Sequence, residues 1–400
     1  MSAWSLLVPG LLLLAWALAV ALGTGVVLGR AWRFWRPIAS HPGAAVVRDQ
    51  PALLVRPCAG AEARLLDNLA SAAQARHSFP LTVALTVADA ADTALPVAEQ
   101  ARATLEAAGL PCSVAIHPPL GPNRKASQLA GALRHDHGRH PIVISADSDV
   151  DLSRIDLDRL IAPLQDDPAL GAVWAPFIER PAGRRLGDRA GAALLDGSLH
   201  AFALLCAVDG KTLVGKLCAF RPAHVGAVGG WEGLVHHLGE DVELAQRLAE
   251  RGLGVCAVPL LAEARGEARS FGAALQRLTR WLSVVRWQRP RLLWSYPALL
   301  LAPWLLALGV LALWGSRTPP LALAILLLVA LSRLATATVA RALVRRAGGG
   351  VGRWPGALLD AVLADALLAL AFLRAIGGRR VSWRGHTLEL ERGGRLRRAV

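Results

Sequence analysis

Hydrophobic and polar positions divide the chain into apolar ends and an alternating middle. Met1 to Gly29 carries no charge, and Leu6–Leu28 within it is a 23-residue apolar stretch, long enough to cross a bilayer as a helix. Arg30, Arg33 and Arg36 follow it, and the start, Met-Ser-Ala-Trp, has no basic residue. A cleaved signal peptide needs a basic start and a shorter apolar core. The pattern therefore predicts a signal anchor with its N-terminus outside and the next domain in the cytosol.

From 37 to 291 short apolar runs such as Leu53–Val55 and Leu81–Val87 alternate with helical patterns, one after Asp92 and one over Ala126–Leu133. Strands alternating with helices predict an α/β domain with a largely parallel sheet. Leu194–Val208 is apolar but too short to span, and reads as a core helix or an interfacial one. Apolar segments then return at Leu292–Trp314 and Leu321–Leu343, a transmembrane hairpin over 292–345. A third, Ala357–Ile376, contains Asp360 and Asp365 and precedes a tail with seven arginines. If that segment spans, the tail lies outside, against the positive-inside tendency; if it lies in the interface, the tail stays inside. Arg333, mid-way along its helix, has Asp365 or Asp360 as possible partners, or it snorkels.

Composition sharpens this picture. A 54% hydrophobic content is high for a soluble enzyme, and the net charge of +14 comes from 44 basic residues of which only Lys125, Lys211 and Lys216 are lysine. The arginines cluster at the ends of apolar segments and no nucleic-acid module is present, so the charge points to an anionic membrane face and not to nucleic acid. The five cysteines are odd in number, widely spaced and without a C-x-x-C, which fits reduced thiols in a cytosol-facing domain.

Three motifs carry candidate chemistry. Asp147-Ser148-Asp149 follows the apolar run Ile142–Ala146, and acids at a strand end can hold a divalent cation, Mg²⁺ or Mn²⁺, against a diphosphate. A solvated acidic loop is the alternative. Glu240-Asp241 opens a helical pattern, as a general base or as a cap. Arg277 and Arg280 share a helix face next to Trp281, either to bind a diphosphate or as a juxtamembrane basic helix.

Taken together, the order of these motifs inside a membrane frame resembles the lipid-directed glycosyltransferases of family-2 type. It resembles most closely the ceramide glucosyltransferase family and its bacterial hopanoid-glycosylating relatives. Leu54–Gly60 is similar to that family's strand ending in K-P-x-x-G, and Asp67-Asn68-Leu69 to the helix after it. Asp92, rather than Asp89, falls at its first acid. Gly121–Leu129 resembles N-P-K-x-N-N-L and retains Asn123 and Lys125, while Arg124, Ser127 and Gln128 depart from it. Ser382–Gly385 is similar to the family's S-W-R-x-G. His200 lies near a family histidine, but its flanks differ, and it reads as core or surface.

The resemblance implies a Rossmann-like GT-A domain in the cytosol, with one N-terminal and two or three C-terminal membrane helices. It implies Asp241 as the base, and Asp147 and Asp149 on the metal side. Asp92, Asn123, Lys125, Asp147, Arg277, Arg280 and Trp281 would then line the donor site. The expected function is an inverting, metal-dependent transfer of a sugar, glucose first, from a UDP-sugar to a lipid hydroxyl. A ceramide-like acceptor is favoured, in a multi-pass protein of a bacterial inner membrane. A hopanoid, diacylglycerol or polyprenyl-phosphate acceptor, a processive synthase, and a non-catalytic nucleotide-sugar-binding protein are the alternatives.

Overall fold

Uncharged sequence becomes a single long helix at the N-terminus. The computed structural model describes residues 4–36, 50–60, 62–180, 183–313, 319–350, 357–383 and 386–398. Helix α1, Trp4–Phe34, rises ~46 Å, more than the ~30 Å hydrocarbon core requires. It packs along α13, Pro319–Arg346, in an apolar seam that includes Ala17, Val20, Ala322 and Ile325. Both helices are long and apolar enough to cross a membrane.

The run after 290 is bent, not straight. A segment over Pro290–Leu300 and α12, Ala302–Leu313, meet at 50°. Pro297 removes one N–H, and Leu301 N bonds back five residues to Tyr296 O at 2.7 Å, which is the local cause of the kink.

The middle of the chain is the expected α/β domain. Its main sheet contains β1 (Ala52–Pro57), β2 (Leu81–Val87), β3 (Cys112–Ile116), β4 (Ile142–Ala146), β6 (Leu170–Trp174), β8 (Leu217–Phe220) and β9 (Gly254–Ala257). Their spatial order is β3-β2-β1-β4-β8-β6-β9. β1, β2, β3 and β4 are mutually parallel, with Ala52 opposite both Leu81 and Ile142. Near-continuous apolar sequence suits strands covered on both faces. Helices α2 (Leu65–Ala70), α3 (Ala94–Ala107), α4 (Arg124–Asp136), α5 (Leu157–Asp166) and α9 (Glu240–Glu250) flank the sheet.

β8 runs antiparallel to both neighbours. Its N-terminal end therefore meets the C-terminal end of β4, where Asp147 N donates to Lys216 O at 2.9 Å. A small sheet of β5 (Val150–Asp151), β10 (Ala262–Arg265) and β7 (Phe177–Arg180) closes the same edge.

Leu194–Val208 is not one helix. Helix α6, Leu186–Gly197, ends where Ser198 Oγ donates to Leu194 O and accepts from His200 N, and α7, Phe202–Leu205, starts anew. Of the two alternatives for His200, the core is realised: the ring is buried against Phe202 and Tyr296, and burial pushes its pKa down to about 4, so it is neutral.

Helix α10, Phe271–Gln288, is capped by Ser270, whose Oγ accepts from Ala273 N. Helix α14, Ala357–Gly377, lies against α10 and α6. The tail then forms a meander, β11 (Arg380–Trp383), β12 (His386–Leu390) and β13 (Leu396–Arg398). Arg384 and Gly385 of the S-W-R-G segment lie outside the described residues.

Candidate active site

Sheet topology gathers charge at the C-terminal ends of the parallel strands, where open α/β sheets bind ligands. Asp147 and Asp149 follow β4 on a tight turn. Arg56 of β1, fully buried, fastens that turn by donating to Asp147 O (3.0 Å) and Val150 O (2.8 Å), and reaches Asn68 O at 3.1 Å. Burial pushes its pKa down to about 10, still well above neutrality, so the guanidinium keeps its charge beneath the acids.

Two lysines hold the acid pair. Lys216 Nζ lies 2.6 Å from both Asp149 carboxylate oxygens and 3.1 Å from Asp147. Lys125 Nζ lies 2.7 Å from Asp147, 3.5 Å from Glu240 and 2.7 Å from Gly215 O. Burial works against the charge on Asp147, but Lys125 and Lys216 outweigh it and hold the carboxyl below the usual range. Burial likewise opposes the charge on both lysines, and the facing carboxylates raise their pKa values nonetheless.

Asp241 experiences a different balance. It sits in the first turn of α9, where Oδ2 accepts from Gly215 N at 2.8 Å and Oδ1 from Val242 N at 2.8 Å. Burial first, then the neighbouring Glu240, raises its pKa to about 6, against the opposing pull of Lys125 and those two N–H donors. Gly215 thus contacts both charged partners through its backbone. A Cβ there would stand 2.8 Å from Lys125 Nζ and 3.3 Å from Asp241 Oδ2, so any larger residue would make the end of the Lys125 side chain shift.

The remaining expected residues divide. Asn123 is fully buried: its Oδ1 caps α4 through Ala126 N, and its amide donates to His237 O and Glu240 Oε2, both at 2.9 Å. Both donors and one lone pair of that buried side chain are used inside the protein, so it positions Glu240. Asp92 Oδ1 accepts from Gly60 N (2.8 Å) and Ala94 N (3.0 Å), tying the loop after β1 to the start of α3. Gly60 has φ +73°, which glycine adopts without strain.

Arg277 pairs with Glu179 and lies over the Trp281 ring, 4.5 Å from its centroid. Burial lowers its pKa, and Asp149 and Asp147 oppose that. Trp281 meets Phe177 and Phe202 edge-on at 6.1 Å, and those two rings stack at 4.5 Å. Arg280 is half-buried on the same helix.

Sequence reasoning did not single out Arg56, Gly215, Lys216, Glu179 or Phe177 as site residues. One signal was available: two of the three lysines in an arginine-rich chain stand at the acid pair.

Among the described residues no three His, Cys, Asp or Glu side chains converge as a metal cage. The donor set here is two carboxylates beside two ammonium groups. It fits a hard cation that takes its remaining oxygens from a diphosphate and water, not an all-protein site.

No curated protein matches. Similar solved structures include mannosyltransferase PcManGT from Pyrobaculum calidifontis in complex with GDP-Man and Mn²⁺ (19% identity, 93% of this chain and 99% of that one, TM-score 0.48). Another is glucosyl-3-phosphoglycerate synthase from Mycobacterium tuberculosis with Mg²⁺ and UDP (17% identity, 60% and 80%, TM-score 0.34). Likeness this distant carries no residue roles. The family model of glycosyl transferase family 21 matches residues 14–396, nearly the whole chain. The protein therefore belongs to glycosyl transferase family 21, and its α/β domain is the GT-A catalytic domain of a glycosyltransferase.

Proposed function

We propose that the enzyme transfers a sugar, glucose first among candidates, from a UDP-sugar to the hydroxyl of a ceramide-like membrane lipid, with inversion at the anomeric carbon. The observation that carries this reading is the pairing of two unlike acid sites within one cluster. Asp241 is raised to about 6 and linked through Gly215 and Lys125 to a lysine-held Asp147–Asp149 pair. The apolar helices α1 and α13 adjoin the same domain, so a lipid hydroxyl has a route from a membrane. On this reading the protein is multi-pass, with the catalytic domain on the cytosolic side of a bacterial inner membrane.

Asp241 is mostly ionised at neutral pH yet more basic than an ordinary carboxylate, which suits removal of the acceptor proton. The freed oxygen attacks the anomeric carbon, and the bond to the diphosphate breaks in line. Lys125 and Lys216 place two positive charges where the leaving group gains negative charge. Arg277, held by Glu179 and Trp281, adds a third near the same acids. Asp147 and Asp149 would hold a divalent cation, Mn²⁺ or Mg²⁺, which when bound neutralises diphosphate charge. Asn123 and Asp92 act as positioning residues, the first on Glu240 and the second on the loop after β1.

The test is incubation of purified protein with several UDP-sugars and a host lipid extract, read by mass spectrometry. A hexosylated sphingolipid supports the reading. A hexosylated hopanoid or polyprenyl phosphate keeps the chemistry and changes the acceptor, and free sugar alone contradicts lipid transfer.

A further inference from the structure

We propose that α14 does not cross the membrane but lies in its plane, within the leaflet that faces the catalytic domain. Its free face binds lipid hydrocarbon, and the C-terminal tail stays on the catalytic side. The inference rests on the reading of α1, α12 and α13 as bilayer-embedded, and is independent of sugar and acceptor.

Both ends of α14 are fastened to the same side. Ahead of it, Gly350 N donates to Glu263 Oε1 on β10 at 3.4 Å. In its first turn Asp360 pairs with Arg189 of α6 at 2.6 Å and Arg341 of α13 at 2.9 Å. At its far end Arg286 of α10 donates to Ala375 O (2.6 Å) and Gly378 O (2.7 Å). The tail then pairs with the loop leading to α9: Leu238 N donates to Gly394 O at 3.0 Å and Leu396 N to His236 O. That loop ends at Glu240-Asp241. A 21-residue helix is ~31 Å long, so a spanning α14 would separate its ends by the whole hydrocarbon thickness. Backbone bonds from the tail to residues 236–238 exclude that separation. Parity agrees: α1, the bent segment with α12, and α13 return the chain to the catalytic side only if no further crossing follows.

Charge sets the depth. Asp365 pairs with Arg333, and Asp360 with Arg341, eight residues or ~12 Å apart on α13. Both contacts lie between the middle of α13 and its end at Arg346, within one leaflet.

The two faces of α14 identify the occupant. Ala364, Leu367, Leu368, Ala371, Phe372 and Ala375 are buried against α6 and α10. Leu359, Val362, Leu370, Leu373 and Ile376 form the opposite stripe and are 41–61% exposed. Asp360 and Asp365 are spent on arginines, so no acid faces outward from that stripe. Arg374, Arg379 and Arg380 follow at its end, at the level expected of anionic headgroups. A charge-free apolar stripe, continuous with membrane helices and ending in arginines, fits the hydrocarbon of one leaflet.

The experiment uses the full chain in sealed vesicles of known sidedness. In a background with the five native cysteines replaced by serine or alanine, single nitroxide labels at Leu359→Cys, Val362→Cys, Leu370→Cys and Leu373→Cys report depth through oxygen against nickel-chelate accessibility, with Leu12→Cys on α1 as reference. All four are expected in hydrocarbon at similar shallow depth. A depth maximum in the middle with water at both ends overturns the proposal. In parallel, an impermeant maleimide is applied to Arg397→Cys in the tail and Glu106→Cys on the catalytic domain. Labelling from the same side is expected. Labelling from opposite sides with a lipid-facing Leu12 label overturns the α14 proposal alone. A water-exposed Leu12 label removes the bilayer reading and this inference with it.

Discussion

The acid pair after β4 and the acid pair at the start of α9 are built from the same side-chain chemistry and sit in different electrostatic surroundings. Asp147 and Asp149 sit between two ammonium groups, and Asp147 is held below the ordinary carboxylate range. Asp241, reached from the first pair through Lys125 and Gly215, is raised to about 6 by burial and by Glu240. Asp147 in the first pair is held as an anion that suits cations; the second pair holds a carboxylate, Asp241, that can take and lose a proton near neutrality. Both acids are buried: at Asp147 the two lysines outweigh that burial, whereas at Asp241 burial and the like charge of Glu240 outweigh Lys125 and the two backbone N–H donors.

The largest effect should come from removing the basic oxygen. Asp241→Asn retains shape and one of the two acceptor oxygens that Gly215 N and Val242 N use, and turnover should fall at least about 100-fold, while UDP affinity stays near that of the parent. Calorimetry beside a transfer assay separates the two. Loss of UDP binding would move Asp241 to the donor side and erase the contrast between the acid pairs.

Lys216→Met removes one of the cations from the first pair. A fall of about 100-fold in kcat is expected, from a lost charged partner of the leaving group. Asp149→Asn should instead make UDP binding less dependent on Mn²⁺. Equal metal dependence in mutant and parent would take Asp149 out of the metal site.

Gly215→Ala should have the smallest effect of the three sites, roughly tenfold in turnover, because Lys125 Nζ belongs to a flexible side chain that can shift by a few tenths of an ångström. Unchanged kinetics would show that the bridge between the two pairs is not needed.

The parts of this site legible in sequence are those written as local runs. A charge-free stretch, an acid pair after an apolar strand and R-x-x-R-W on a helix are all contiguous, so length and period reveal them. Lys216 and Gly215 reach the site only because β8 is antiparallel to β4, and pairing direction is not encoded in any local run. Asn123 matched a motif for donor contact but is buried as a cap on α4 and a brace for Glu240, a role that depends on a loop over 100 residues away. The bend at Leu301 was hidden because apolar content does not distinguish a straight span from a kinked one. The tail's attachment to residues 236–238 was equally hidden, since seven arginines describe charge and not pairing.

The central claim, that environment turns Asp241 alone among these acids into a base, is tested most directly by the pH dependence of kcat/KM in the parent enzyme. The base must be unprotonated, and burial beside Glu240 raises its pKa to about 6 from an ordinary value of 3.8. Activity should therefore be flat above about pH 7 and fall towards tenfold per unit below about pH 6. A profile level down to pH 5, or a break near 4, would contradict the account.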